Sequence, residues 1–207
     1  MKVAIVIDGL VAFGGADRVL ISLLKIYPDS DIYTSIFNIE MYPWLNEEKV
    51  HTSFLQKWPF QKFLYRHYWP FSPMAFEQFN FDGYDLVISV SAGCAKGVIT
   101  GVDTRHVGLI LTPPRYQWGG EINARASGLR SLFRFLAPYV DNYLRVWDLE
   151  ASKRPDELIS ISKFIHSRVK KYYRRDSTVI YLGADLKNWY PDPSRLSAEL
   201  SRSPSSG

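Results

Sequence analysis

Gly14 and Gly15 stand between a run of five apolar residues, Val3-Ala4-Ile5-Val6-Ile7, and a helical pattern carrying Val19, Leu20, Leu23 and Leu24. That order reads as strand, tight loop, helix. At the carboxyl end of the first strand of a parallel α/β sheet, the helix that follows offers unpaired N–H groups and a positive dipole end. Phosphates bind there. The same pair also fits a turn that needs glycine only for its backbone angles, and both readings stand at this point. Asp17 follows in the first helical turn, where a carboxylate favours the dipole and can accept from a hydroxyl-bearing ligand. The glycine spacing departs from the G-x-G-x-x-G dinucleotide fingerprint, so neither NAD nor another cofactor is expected. Thr112-Pro113-Pro114-Arg115-Tyr116-Gln117-Trp118 forms a second loop behind an apolar run ending at Leu111. Arg115 and Trp118 combine a planar cation with an aromatic face, a pairing that suits phosphates and sugar rings, although a structural carboxylate holds an arginine equally well. A third loop, residues 89–97, is built of small residues that let a ligand approach the backbone. Its polar side chains include Ser91 and Lys96.

One segment has a different character. From Trp58 to Phe71 the chain is aromatic, basic and bounded by prolines, with Trp58, Lys62, Arg66 and Trp69 among its members. Its rings suit packing onto a sheet. They also suit a membrane interface, where aromatics enter the headgroup layer beside cations, or the recognition of an acceptor.

The elements that must position these loops alternate. Strand patterns are read at Val3 to Ile7, Asp31 to Phe37, Leu86 to Ser89, Val107 to Leu111, Glu157 to Ile161 and Thr178 to Tyr181. Helix patterns lie between several of them: residues 17–26, a stripe of Leu129, Leu132, Phe133 and Leu136, and Val140 to Trp147 after a break at Pro138. Lys163 to Tyr173 follows Ser162 as N-cap. Successive βα units predict an α/β fold, a Rossmann-like parallel sheet with helices on both faces. The 207 residues are 46% apolar, enough for one substantial core. A serine-rich tail, residues 191–207, reads as linker or disorder.

Composition also excludes classes. The single cysteine, Cys94, rules out a disulfide framework and a cysteine-based zinc site, and reads as a small buried residue. His51, His67, His106 and His166 show no ligand spacing, so no metal is expected. No bilayer-spanning run and no signal region are apparent, and a cytoplasmic location is expected. Charge is uneven, at net −3 over residues 1–103 and net +7 over residues 104–207. A basic half favours polyanions, acidic headgroups or nucleotide phosphates. No nucleic-acid recognition module is visible, and nucleic acid is not expected as a partner.

Five segments taken in order are recognisable. They are Gly14-Gly15-Ala16-Asp17-Arg18-Val19-Leu20, Gly83-Tyr84-Asp85-Leu86-Val87-Ile88-Ser89, Thr112 to Trp118, Arg145-Val146-Trp147-Asp148, and Val179-Ile180-Tyr181-Leu182-Gly183-Ala184-Asp185. Over residues 3–190 the chain resembles the N-terminal half of family-4 retaining glycosyltransferases. Such enzymes have the GT-B architecture, two Rossmann-like domains facing across a cleft. The resemblance implies an acceptor-side domain, residues 1–190. Gly14 and Gly15 would approach the donor phosphates, and Asp17, Ser91, Lys96, Arg115 and Trp118 would bind acceptor or sugar. A nucleotide sugar and a saccharide or lipid-linked acceptor would be the partners, with peripheral contact at the inner face of the membrane through Trp58, Lys62, Arg66 and Trp69. Two residues depart from the pattern. Leu111 stands where the family often has histidine, and His106, five residues earlier, falls on the opposite face of an extended strand. Asp17 replaces a more usual glutamate. The donor-binding second domain is not recognised after Asp185 and is expected in trans if at all, so no catalytic residue is assigned and little turnover is expected from this chain alone. The alternative is a noncatalytic sugar- or partner-binding module that keeps the fold.

Overall fold

The computed structural model describes residues 1–58, 68–119 and 137–183. Its centre is a seven-stranded sheet in which every strand pairing is parallel. The strands are β1 (Val3–Ile7), β2 (Asp31–Thr34), β3 (Val50–Thr52), β4 (Leu86–Ser91), β5 (Arg105–Ile110), β6 (Glu157–Ser160) and β7 (Thr178–Val179). Their order across the sheet is β3-β2-β1-β4-β5-β6-β7. The chain therefore winds outward from β1 in one direction, returns, and winds outward in the other. The reversal opens a crevice between the carboxyl ends of β1 and β4, the place where open α/β sheets bind ligands.

Alternation along β1 sends side chains to two faces. Ile5 and Ile7 pack with Val19 and Leu20 of α1 (Gly15–Ile26). Ala4 and Val6 pack on the other face with Phe76 of α2 (Ser72–Glu77) and Trp147 and Ala151 of α4 (Ala137–Ala151). All five β1 residues are buried, as a parallel strand covered on both sides requires. Val6, Ser89, Gly108 and Leu158 are in register across the sheet, so α5 (Lys163–Tyr173), which packs on Leu158 through Ile165 and Val169, lies on the α4 face. A Cβ on Gly97 would stand 2.4 Å from the Trp147 ring, so this glycine lets α4 approach the sheet. Gly83 is the described glycine with a positive φ, 77°, at the turn into β4.

The doubly wound α/β architecture stands as expected, with helices on both faces of the sheet. Ser162 caps α5, its hydroxyl accepting from the Ile165 amide. Several boundaries differ, those of β4, β5 and β6 by two residues or fewer. β2 stops at Thr34, because Ile36 and Phe37 turn aside to meet Leu10. β3 was absent from the pattern: three residues on an edge, held by register to Ile32, Tyr33 and Thr34, carry too little periodicity to show. β7 ends at Val179 rather than Tyr181. The expected helix Val140 to Trp147 lies within α4, and Pro138 sits in the first turn of that helix, where a missing N–H leaves no intrahelical bond unmade. The Leu129, Leu132, Phe133 and Leu136 stripe and the 191–207 tail lie outside the described residues.

His106 on β5 is fully buried on the α4 face, its Nε2 2.8 Å from the Ser89 hydroxyl, while its Nδ1 has no partner. Leu111 packs on the opposite face with the α1 cluster. Burial lowers the imidazole pKa from 6.5 to about 4. The unfolded chain then binds the proton more readily, so stability falls as pH drops from about 6.5 towards 4, by up to about 3 kcal/mol for this one group. We expect the urea midpoint of His106→Gln to lose that part of its pH dependence. An unchanged slope between pH 6.5 and 4 would show that His106 does not set it.

Candidate functional site

Asp8 is the first residue beyond the buried β1 strand. Its Oδ2 accepts from the amides of Ala92 and Gly93 at 2.6 and 2.8 Å, and its Oδ1 accepts from the Ala95 amide at 2.8 Å. Burial pushes the Asp8 carboxyl up, while these amides and the Lys96 charge pull the other way. The loop after β4 wraps the carboxylate closely: a Cβ on Gly93 would lie 3.2 Å from Oδ1. Ser35, just past β2, donates to the Asp8 carbonyl oxygen. The carboxyl ends of β1, β2 and β4 are thus tied together around one residue. Above them lies a cleft of about 320 Å³, lined among others by Asp8, Gly9, Ser35, Phe76, Gly93 and Tyr116. A carboxylate directly after a fully apolar strand is the sequence signal that marks Asp8.

At the start of α1 a second carboxylate does similar work. Asp17 Oδ2 accepts from the Gly14 amide at 2.5 Å and Oδ1 accepts from the Tyr42 hydroxyl at 2.9 Å. Only 3% of Asp17 is exposed, and burial together with this carboxylate pushes the Tyr42 phenol up. Gly14 is extended, with φ −156°, so neither it nor the helical Gly15 occupies a conformation reserved for glycine. A Cβ on Gly15 would meet nothing within 4 Å, and one on Gly14 nothing nearer than 3.8 Å. The pair leaves open space at the helix start, beside the cleft but not lining it.

The remaining candidates converge on a third carboxylate. Lys96, 1% exposed, forms an ion pair with Asp148 of α4 and donates to the Gly93 carbonyl at 2.6 Å. Trp118, in the short helix α3 (Arg115–Trp118), donates from Nε1 to Asp148 Oδ2 at 2.7 Å and stacks on Tyr172 of α5 at 5.1 Å between centroids. Tyr173 is buried in the same cluster, its hydroxyl pKa raised by burial and by the Asp148 charge. Lys96, Trp118 and Asp148 therefore join the β4 loop, the β5 loop and α4 into one rigid edge. Arg145 adds a bond from Nε to the Gln117 carbonyl. Ser91 is 1% exposed and donates to the Gly93 carbonyl. Arg115 alone of the predicted group is exposed without a partner among the described residues, at the carboxyl edge next to Tyr116. Cys94 is buried against the cleft, and burial raises its thiol pKa well beyond the ordinary range.

The aromatic segment is described in part. Trp58 is half-buried, edge-on to Tyr68 and Phe71 at 5.0 and 4.9 Å, in a cluster with Leu55 and Ala75. Lys62 and Arg66 lie outside the described residues, and Trp69 begins a short 3-10 turn. Among the described residues no group of three His, Cys, Asp or Glu side chains is placed to hold a metal ion. Nor is any described helix long and apolar enough to cross a membrane.

Comparison with known proteins adds no relative: no family model matches the chain, and no curated protein matches it.

Removing one partner of a buried ion pair leaves the other uncompensated, at a cost of about 3–5 kcal/mol. Lys96→Met is expected to lower unfolding stability by that amount, and Lys96→Met with Asp148→Leu to recover a large part of it. Chemical denaturation of the two variants separates this from a ligand role, since a lysine kept for a ligand would cost little stability when replaced.

Proposed function

We propose that this chain is the acceptor-side half of a GT-B glycosyltransferase of the family-4 retaining type, moving a sugar from a nucleotide donor to a saccharide or lipid-linked saccharide. The observation that carries the reading is positional. The Gly14-Gly15 loop, the 89–97 loop and the 112–118 loop all leave the carboxyl edge of one parallel sheet, around the β1/β4 reversal. That is where the resemblance requires an acceptor wall, and the start of α1 leaves open space beside Gly15, although Asp17 already takes the Gly14 amide. Arg115 is the side chain best placed to meet a ligand charge, being exposed and unpaired among the described residues.

Retaining transfer needs the donor diphosphate desolvated and the acceptor held against it, which one wall of a cleft does not supply. The purified 207-residue chain is therefore expected to turn over no nucleotide sugar by itself. Titration with candidate acceptor saccharides should show saturable binding, with nucleotide sugars far weaker. Transfer by the chain alone would overturn the division of labour, and tight donor binding without acceptor binding would overturn the assignment to the acceptor side.

A second reading has its own support. Asp17, Ser91, Lys96 and Trp118 spend their polar atoms on the protein itself, as a noncatalytic module that keeps the fold would have them do. Acceptor binding that no donor domain converts into transfer would favour it.

Peripheral membrane contact is part of the proposal and rests on the basic, aromatic character of residues 58–71. Sedimentation with liposomes should show more binding to anionic than to neutral vesicles, weakening as salt rises. Equal binding to both, or binding to neither, removes the electrostatic membrane contact.

A further inference from the structure

Loops of small residues at the end of a parallel strand ordinarily present their amides to a ligand anion. Here those amides are taken. Ala92, Gly93 and Ala95 all donate to Asp8, so the protein's own carboxylate sits in the nest that a phosphate would occupy. No cation is among the described residues lining the cleft. Lys96, which donates to the Gly93 carbonyl, is paired with Asp148, and its charge also acts on Asp8. Among the described residues lining the cleft, the charged side chain is Asp8.

What remains unpaired there is neutral or accepting. A carboxylate offers about four lone-pair sites, and Asp8 fills three with amides, leaving one on Oδ1. The Ser72 hydroxyl and the Gly9 amide line the cleft and have no partner among the described residues. Val11, Ile36, Leu55 and Phe76 supply the rest of its walls. At about 320 Å³ the cleft falls at the small end of ligand sites.

We propose that the β1/β4 cleft binds an uncharged, hydroxyl-bearing group with an apolar neighbour, and that Asp8 makes it reject the same group carrying a carboxylate or phosphate. Asp8 acts as a specificity residue. Its bound carboxylate, half-buried at the cleft floor, accepts a ligand hydroxyl and repels a ligand anion, since like charges interact more strongly there than in bulk water. The inference rests on the acceptor-side reading and narrows it: the group held here is a neutral alcohol of the acceptor, and the donor's phosphates stay outside.

A matched pair of probes tests this on the full chain. n-Octyl β-D-glucoside and n-octyl β-D-glucuronide differ by a hydroxymethyl against a carboxylate and are used below their micelle concentrations. Amide shifts followed by NMR at pH 7 should saturate with the glucoside at Gly9, Gly93 and Ser72, and the glucuronide should bind at least tenfold more weakly. Ser72→Ala should weaken the glucoside severalfold without lowering unfolding stability, because that hydroxyl holds nothing in the protein. Equal or tighter binding of the glucuronide overturns the rejection of charge, and leaves the acceptor reading standing with an anionic acceptor. Absence of glucoside shifts at these residues overturns the cleft as a hydroxyl site. Failure of sugar transfer with an added donor domain would count against the glycosyltransferase reading and not against the selectivity measured here.

Discussion

The carboxyl edge of the sheet depends on a carboxylate placed where the first strand runs out. Asp8 receives three backbone amides from the loop after β4 and, through its own carbonyl, the Ser35 hydroxyl beyond β2. Strands that end side by side do not by themselves have ordered loops, because loop amides left unpaired at a half-buried edge are costly. A single anion with several lone pairs satisfies them together. It also shapes the loop: a Cβ on Gly93 would stand 3.2 Å from the carboxylate, so a side chain there would crowd the clamp.

From that clamp the order spreads by shared atoms. The Gly93 carbonyl, on the loop that Asp8 holds, accepts from both Ser91 and Lys96. Lys96 is then committed to Asp148, and Asp148 to Trp118, which lies flat against Tyr172. Lys96 and Asp148 each have an opposite partner and additional hydrogen bonds, the condition under which a charge is tolerated away from water. The consequence is a rigid rim around an open cleft, on which a ligand would find geometry fixed in advance rather than side chains to be ordered on binding.

The same pattern changes what kind of site this edge offers. Two of its three loops would bind anions if their amides were free. Asp8 and Asp17 occupy them instead, one in the β4 loop and one at the Gly14 amide. What stays accessible is the open space beside Gly15, the exposed Arg115 and a cleft with apolar walls. Under the proposed function, charge recognition and acceptor recognition then occupy different parts of one edge, and the protein's own carboxylates keep them apart.

Much of the fold was legible because it rests on local pattern. Buried parallel strands are continuous apolar runs, and Val3–Ile7 and Leu86–Ser91 are of that kind; Ser162 announces α5 because capping is a contact between near neighbours. β3 was not legible, since an edge strand of three residues draws its pairing from β2 and not from its own sequence. For the candidate site, residue type identified the loops but not the direction of their side chains. Asp17, Lys96 and Trp118 have the chemistry of ligand-binding groups, and only the contacts of distant segments turned them inward, Lys96 to a carboxylate 52 positions away and Trp118 to the same one 30 positions away. The sequence by itself determined the parallel α/β architecture and which loops meet at its carboxyl edge, because hydrophobic period and turn chemistry act over a few residues. The tertiary structure alone decided which polar groups remain for a ligand, because a charge pairs with whatever stands within about 3 Å of it in space, however far away along the chain.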